Sequence, residues 1–261
     1  ILHELPHDLA EFLESSAKTR QAVISAMIYP TVLLITGIIS VVLLLVFVVP
    51  QFAAMFEDAG TDIPPSAAFL LSLSTFIQSY GYLFIVAIVL CIFYWKRLDK
   101  DPKTKQQKDG FLLSMPLLGT LILYRECAIF SRTLGALLGA GIPLIRALRV
   151  SREVISNSVL TGKLLQVEED VRGGAGLGIS LEKTNQFPTL LHQLVAVGEE
   201  SGRTSDILLK SAVTFDTYVR NQMSALVSAL QPALIIFLAI AVGGITITML
   251  SAVFSMNAVE F

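Results

Sequence analysis

Few residues in this 261-residue chain are of a type and spacing that could do chemistry. Gly162-Lys163 is the one Gly-Lys pair, but Leu164 follows it and the upstream glycine of a P-loop is missing, so the chain itself is not expected to hydrolyse ATP. The run Gly173-Gly-Ala-Gly-Leu-Gly178 has the glycine content of a phosphate cradle, yet a helical pattern precedes it rather than a strand, and it reads as a connection. In Gly198-Glu-Glu-Ser-Gly202 the serine is one place off for a nucleophile elbow, and again no strand leads in. His3, His7 and His192 are too few and too scattered for a metal site. Cys91 lies in an apolar run and Cys127 on an apolar helix face, so both read as packing residues. The expectation is a protein that is not an enzyme, with no catalytic residue, no metal and no cofactor.

The remaining candidates are side chains suited to holding partners. Arg146, Arg149 and Arg152 flank the Leu144/Leu148/Ile155 stripe of one predicted helix; they form a solvated face by default and are the candidates for meeting an acidic partner. The adjacent Glu199 and Glu200, at a predicted helix end, are candidates for a cation or a basic partner, or for pairing with Arg203. Inside apolar runs, Gly37, Ser40, Ala239, Gly243 and Gly244 are small enough for helix backbones to approach closely, which is how spans associate in lipid.

The elements that must position these residues are helices, and three of them read as membrane spans. The chain is 54% hydrophobic and only 15% charged, well below the charged share of a soluble domain. Long stretches hold no charge, and at 1.5 Å per residue they suffice to cross roughly 30 Å of hydrocarbon. The predicted order is a helix over 1–28, a first span over 29–50, an outer loop and helix over 51–77 and a second span over 78–95. A helical domain over 96–228, a third span over 229–254 and an outer tail over 255–261 follow. All nineteen Lys and Arg residues fall in 18–20 or 96–220. Basic segments stay inside, so the amino terminus is expected in the cytoplasm and the carboxyl terminus on the outer side of the membrane. Tyr29, Tyr94 and Trp95 suit the headgroup layer, and the Lys96, Arg97, Lys100, Lys103, Lys105, Lys108 cluster suits the inner lipid surface. No ionisable group lies inside a span, which counts against the alternative of a small-solute transporter. Nor is there a basic tail of the kind that binds nucleic acid.

Between the second and third spans, apolar residues recur at helical steps: Leu123, Cys127, Phe130, Leu134, Leu137, then Leu144, Ala147, Leu148, Val154, Ile155. Three more stripes follow, through Leu160–Val171, Leu191–Val195 and Leu208–Leu226, with Gly139-Ala-Gly-Ile-Pro143, the glycine run and Gly198–Gly202 as breaks. No strand alternation occurs. The fold class expected is all-α: a polytopic membrane protein with three transmembrane helices and a cytoplasmic antiparallel helical bundle. A shift of 202 positions superimposes Leu5 on Ile207, Ala10 on Ala212, Lys18 on Arg220, Pro30 on Pro232 and Phe52 on Phe254, which reads as a duplication. Ile1 has no charged n-region before a hydrophobic core, so no signal peptide is read, and the chain reads as starting mid-protein.

Three runs together carry a family resemblance: Gly139-Ala-Gly-Ile-Pro-Leu-Ile-Arg-Ala-Leu148; Phe187-Pro188 followed by Val195-Ala-Val-Gly-Glu-Glu-Ser-Gly202; and Ala26-Met-Ile-Tyr-Pro30 to Val48-Val-Pro-Gln-Phe52. In this order they resemble the F-protein family of type II secretion systems, which includes type IV pilus platform proteins. The resemblance implies a platform that couples a cytoplasmic assembly ATPase to the growth of a pilin or pseudopilin fibre and to protein secretion. It also implies other inner-membrane machine components as partners, a lipid bilayer around the spans, and self-association as a homo-oligomer. Family members carry two related cytoplasmic helical domains, and most of the first is missing from this sequence.

Overall fold

The computed structural model describes residues 28–29, 31–59, 65–97 and 101–257, and no strand occurs among them. The helix expected over Leu5–Arg20, Pro30, the tail beyond Asn257 and the side chains of Glu57, Asp58, Asp62, Trp95 and Lys96 lie outside the described residues. Helix α1 covers 31–59 and contains a π-helical turn, Leu44–Val48. Then come α2 (Pro65–Arg97), α3 (Pro102–Ser114), α4 (Leu118–Gly139), α5 (Leu144–Glu153), α6 (Ser158–Arg172), α7 (Leu177–Lys183), α8 (Thr189–Ser201) and α9 (Thr204–Asn257). The chain divides into two units: Ile1–Ile92 with Met223–Phe261, and Phe93–Gln222.

In the first unit the segments long and apolar enough to cross a membrane are Thr31–Phe56, Ala67–Cys91 and the apolar part of Thr204–Ser251. The second begins well before the expected residue 78. Pro65 starts the helix, where its missing N–H goes unneeded. The hydroxyls of this stretch are turned back onto their own helix: Ser72 Oγ donates to the Phe69 carbonyl at 2.7 Å and Thr75 Oγ1 to that of Leu71 at 3.1 Å. Leu45 and Val49 of α1 and Ile245 of α9 are buried together, with Leu70, Leu71 and Ile77 of α2 packed against them.

The second unit is a bundle of α3–α8 and the first part of α9. Its core takes Cys127, Phe130 and Leu134 from α4, Leu148 from α5, Leu160, Leu164 and Val167 from α6, Leu181 from α7, Leu191 and Val195 from α8, and Leu208 and Phe215 from α9. Each fully buried Leu or Phe contributes on the order of 1.5–3 kcal/mol, so these stripes hold the unit together. Val154, expected on the second stripe, is exposed, because α5 ends at Glu153 and the turn points the side chain of Ile155 inward instead. Rings stack over the α4–α9 contact: Tyr124 lies 4.2 Å from Tyr218 and edge-on to Phe215 at 5.5 Å. Arg132 pairs with Asp216 across the same contact.

The turn between α5 and α6 is fastened by two carboxylates. Asp109 accepts from the Ser158 N–H at 2.8 Å and from its hydroxyl at 2.6 Å, and Glu126 accepts from the Ser156 N–H at 3.0 Å. Asn157 caps α6 through the N–H groups of Val159 and Leu160.

Candidate partner-contact site

The arginine face of α5 is organised by a residue that the sequence did not single out. Glu168 of α6 is 3% exposed and sits on the same side of its helix as Val167 and Val171. A carboxylate there needs cations, and three arrive: Arg149 Nε at 3.3 Å, Arg152 Nε at 3.3 Å and Arg172 at 2.8 Å. Arg149 and Arg172 remain more than half exposed, Arg152 is mostly covered, and Arg146 one turn earlier is exposed. One carboxylate thus gathers three guanidiniums, two of which, those of Arg149 and Arg172, stay more than half exposed. The signal for Glu168 was legible: a carboxylate between two buried valines, with Arg172 four residues on.

The two glutamates at the end of α8 separate. Glu199 turns into its own unit and accepts from the N–H groups of Leu177 at 2.6 Å and Gly178 at 2.8 Å, so it caps α7. The glycine run that resembles a phosphate cradle therefore already holds an anion, supplied by the chain. A Cβ at Gly178 would come within 2.8 Å of Ala196, so close helix approach explains that glycine. Glu200 stays exposed. Gly198 and Gly202 build the α8–α9 corner: a Cβ at Gly198 would sit 3.0 Å from Thr204 Cα, and Gly202 ends α8 at φ 68°.

Of the small residues in the apolar runs, Gly37 makes the close approach: a Cβ there would fall 2.5 Å from Leu238 of α9. Ser40 bonds back to the Thr36 carbonyl at 2.9 Å, Ala239 is exposed, and a Cβ built at Gly243 or Gly244 would meet nothing within 4 Å beyond the adjoining backbone of its own helix. The polar contact between spans lies elsewhere. Pro50 has no N–H to give to the carbonyls of Leu45 or Val46, and α1 widens into its π turn just before it. Both carbonyls are met from α2: Ser74 Oγ donates to Leu45 O at 2.6 Å, and Gln78 Nε2 to Val46 O at 3.2 Å. A proline in a span, with a lone glutamine in the neighbouring uncharged helix, was the sequence signal for this pair.

The family model for type II secretion system (T2SS) protein F matches residues 2–50 and 130–252, most of the chain. The chain belongs to this family. The two matched blocks end at Pro50 and Ala252, 202 positions apart, the same offset as in the repeat read from the sequence. Among relatives of this protein F family, the type II secretion system protein F of Pseudomonas aeruginosa is 30% identical over 95% of this chain and 62% of its own length. That of Xanthomonas campestris is 34% identical over 86% of this chain and 55% of its own length. The type IV pilus assembly protein TapC of Aeromonas hydrophila is 30% identical over 95% of the chain and 60% of its own length. The chain thus spans about three fifths of the length of the curated protein F relatives it matches.

Proposed function

We propose that this chain serves as the inner-membrane platform of a type II secretion or type IV pilus machine, coupling a cytoplasmic assembly ATPase to growth of a pilin or pseudopilin fibre and to protein secretion. Family membership together with three span-capable helices carries the reading. Relatives with names from both branches match about equally well, so the branch is left open. In this reading the amino terminus and the unit Phe93–Gln222 are cytoplasmic and the carboxyl terminus is periplasmic, as the placement of Lys and Arg favours. The ATPase meets the face of Arg146, Arg149, Arg152 and Arg172, where cations held by Glu168 stand ready for acidic side chains. Glu200, exposed at the other end of the bundle sequence, is offered to a basic partner. Close packing of the Gly37 kind between copies would support a homo-oligomer beside the other inner-membrane components.

The coupling is mechanical. Helix α9, Thr204–Asn257, starts in the second unit and carries the chain into the apolar stretch of the first, so in this reading it is the element that passes a displacement of the bundle to the bilayer. Two glycines inserted after Arg220 are expected to leave the protein in the membrane while stopping fibre growth and secretion in cells. Unchanged secretion and pilus growth would refute the coupling. Photocrosslinkers placed at Arg146 and Arg149 are expected to capture the ATPase.

A further inference from the structure

The corner between α3 and α4 is apolar, exposed and strained at once. Phe111 is 57% exposed, Leu117 51% and Leu118 48%, three large apolar side chains left open within eight residues, and both leucines are more exposed than Leu165, Leu190 and Leu209 elsewhere in the unit. Leu117 sits at φ 73°, ψ −58°, and the Leu118 N–H donates to the Pro116 carbonyl at 2.9 Å, the γ-turn of positive φ that a branched side chain takes only at a cost. Glycine would fit without strain, yet a leucine stands there and its side chain points into the open. The corner is also tightly packed: a Cβ at Gly119 would run into the Leu113 carbonyl, and the two helices are bent by 109°. Together α3 and α4 are apolar enough to pass as a broken span, although α4 spends its own apolar face on the bundle core.

Charge and chain reach say what covers such a corner. Residues 96–108 carry Lys96, Arg97, Lys100, Lys103, Lys105 and Lys108 against Asp99 and Asp101. Helix α2, whose segment Ala67–Cys91 can cross a membrane, ends at Arg97, and α3 begins at Pro102. The connection between them reaches no more than about 18 Å even when fully extended. The corner lies at the far end of α3, about 20 Å beyond that connection, and α3 itself carries Lys103, Lys105 and Lys108. An apolar tip on a cationic helix that follows a span by one short connection matches a bilayer surface with anionic headgroups.

We propose that the α3–α4 corner is an interfacial anchor: Phe111, Leu117 and Leu118 enter the boundary between headgroups and acyl chains of the bilayer that α2 crosses, with the lysines of α3 drawn to its lipid phosphates. The strain at Leu117 is then offset by lipid rather than by protein packing. The proposal rests on the membrane reading given above, but not on any role in a secretion or pilus machine.

The full chain with its single tryptophan removed (Trp95→Phe) and Leu117→Trp added, reconstituted in vesicles containing anionic lipid, tests it. Its emission is expected to shift to the blue and to be quenched more by bromines near the headgroups than by bromines deep in the acyl chains. A control with Val197→Trp, an exposed apolar position on α8, is expected to stay water-like. Phe111→Trp in the same background is expected to repeat the Leu117→Trp result even where that variant folds poorly. Leu117→Gly is expected to keep or raise thermal stability in detergent while reducing the quenching seen at Phe111→Trp. Water-like, unquenched emission from both corner probes would overturn the proposal. So would a blue shift without lipid quenching, which would mean that protein covers the corner. Purified vesicles hold neither ATPase nor pilin, so such a failure would leave the platform reading untouched.

Discussion

Glu126 carries a negative charge into a buried place where one backbone N–H, from Ser156, and one largely exposed guanidinium, from Arg125, are the partners on hand. Burial raises its pKa above the ordinary 4.5, and the Ser156 hydrogen bond and Arg125 offset this only in part. The folded state therefore holds this proton more tightly than the unfolded chain does. Stability from this group is complete below the ordinary value of 4.5 and is lost as pH rises through the raised folded value. Glu126→Gln keeps an acceptor for Ser156 and removes the charge. It should raise the melting temperature at neutral pH by about 2–4 °C, the shift that roughly 1 kcal/mol produces in a chain of this size. It should also flatten the dependence of melting temperature on pH between 4 and 8, as followed by differential scanning fluorimetry in detergent; an unchanged slope would rule Glu126 out as its source. Cys127 next door, fully buried, has its thiol pKa pushed far up, which fits a packing residue and not a nucleophile.

Among the elements, the α1–α2 hairpin holds a coupling that one double-mutant cycle resolves. Gln78→Leu should leave the Val46 carbonyl without its partner and cost about 1–2 kcal/mol, as interhelical hydrogen bonds in membranes do. In a Pro50→Ala background the backbone N–H returns, α1 can bond its own carbonyls, and the same substitution should cost close to nothing. The measurement is unfolding by denaturing detergent in mixed micelles; equal costs in both backgrounds would break the link between proline and glutamine. The hairpin also shows what sequence reading reached and where it stopped. Spans were legible because a charge-free run has one cheap environment, and the stripes of α4, α6, α8 and α9 because buried faces repeat at helical steps. Helix α3 was passed over because its lysines and glutamines hide any stripe, and α7 because seven residues opening in a glycine run offer too few turns to show one. Partner pairs such as Glu168 with Arg149, or Ser74 with Leu45, bridge separate helices, and spacing along one helix does not encode them.

For the whole molecule, the proposed three-span topology has the two ends of the chain on opposite sides of the membrane. Alkaline phosphatase, active only outside the cytoplasm, should be active when fused after Ala59 or Phe261 and inactive when fused after Asn185. Activity at Asn185 would invert the arrangement and remove the ATPase from reach of the arginine face. The π turn of α1 has a consequence for the length of the first span. A helix that makes a wide turn holds one residue more than the same rise requires. Deleting a residue from 44–48 should let α1 close into a regular helix with its outer third still aimed at α2 and α9, whereas a deletion elsewhere in the span would swing everything beyond it by about 100°. The first span thus keeps a spare link at the place where it meets its neighbours, and length variation there is the kind that evolution could accept without rebuilding the contact.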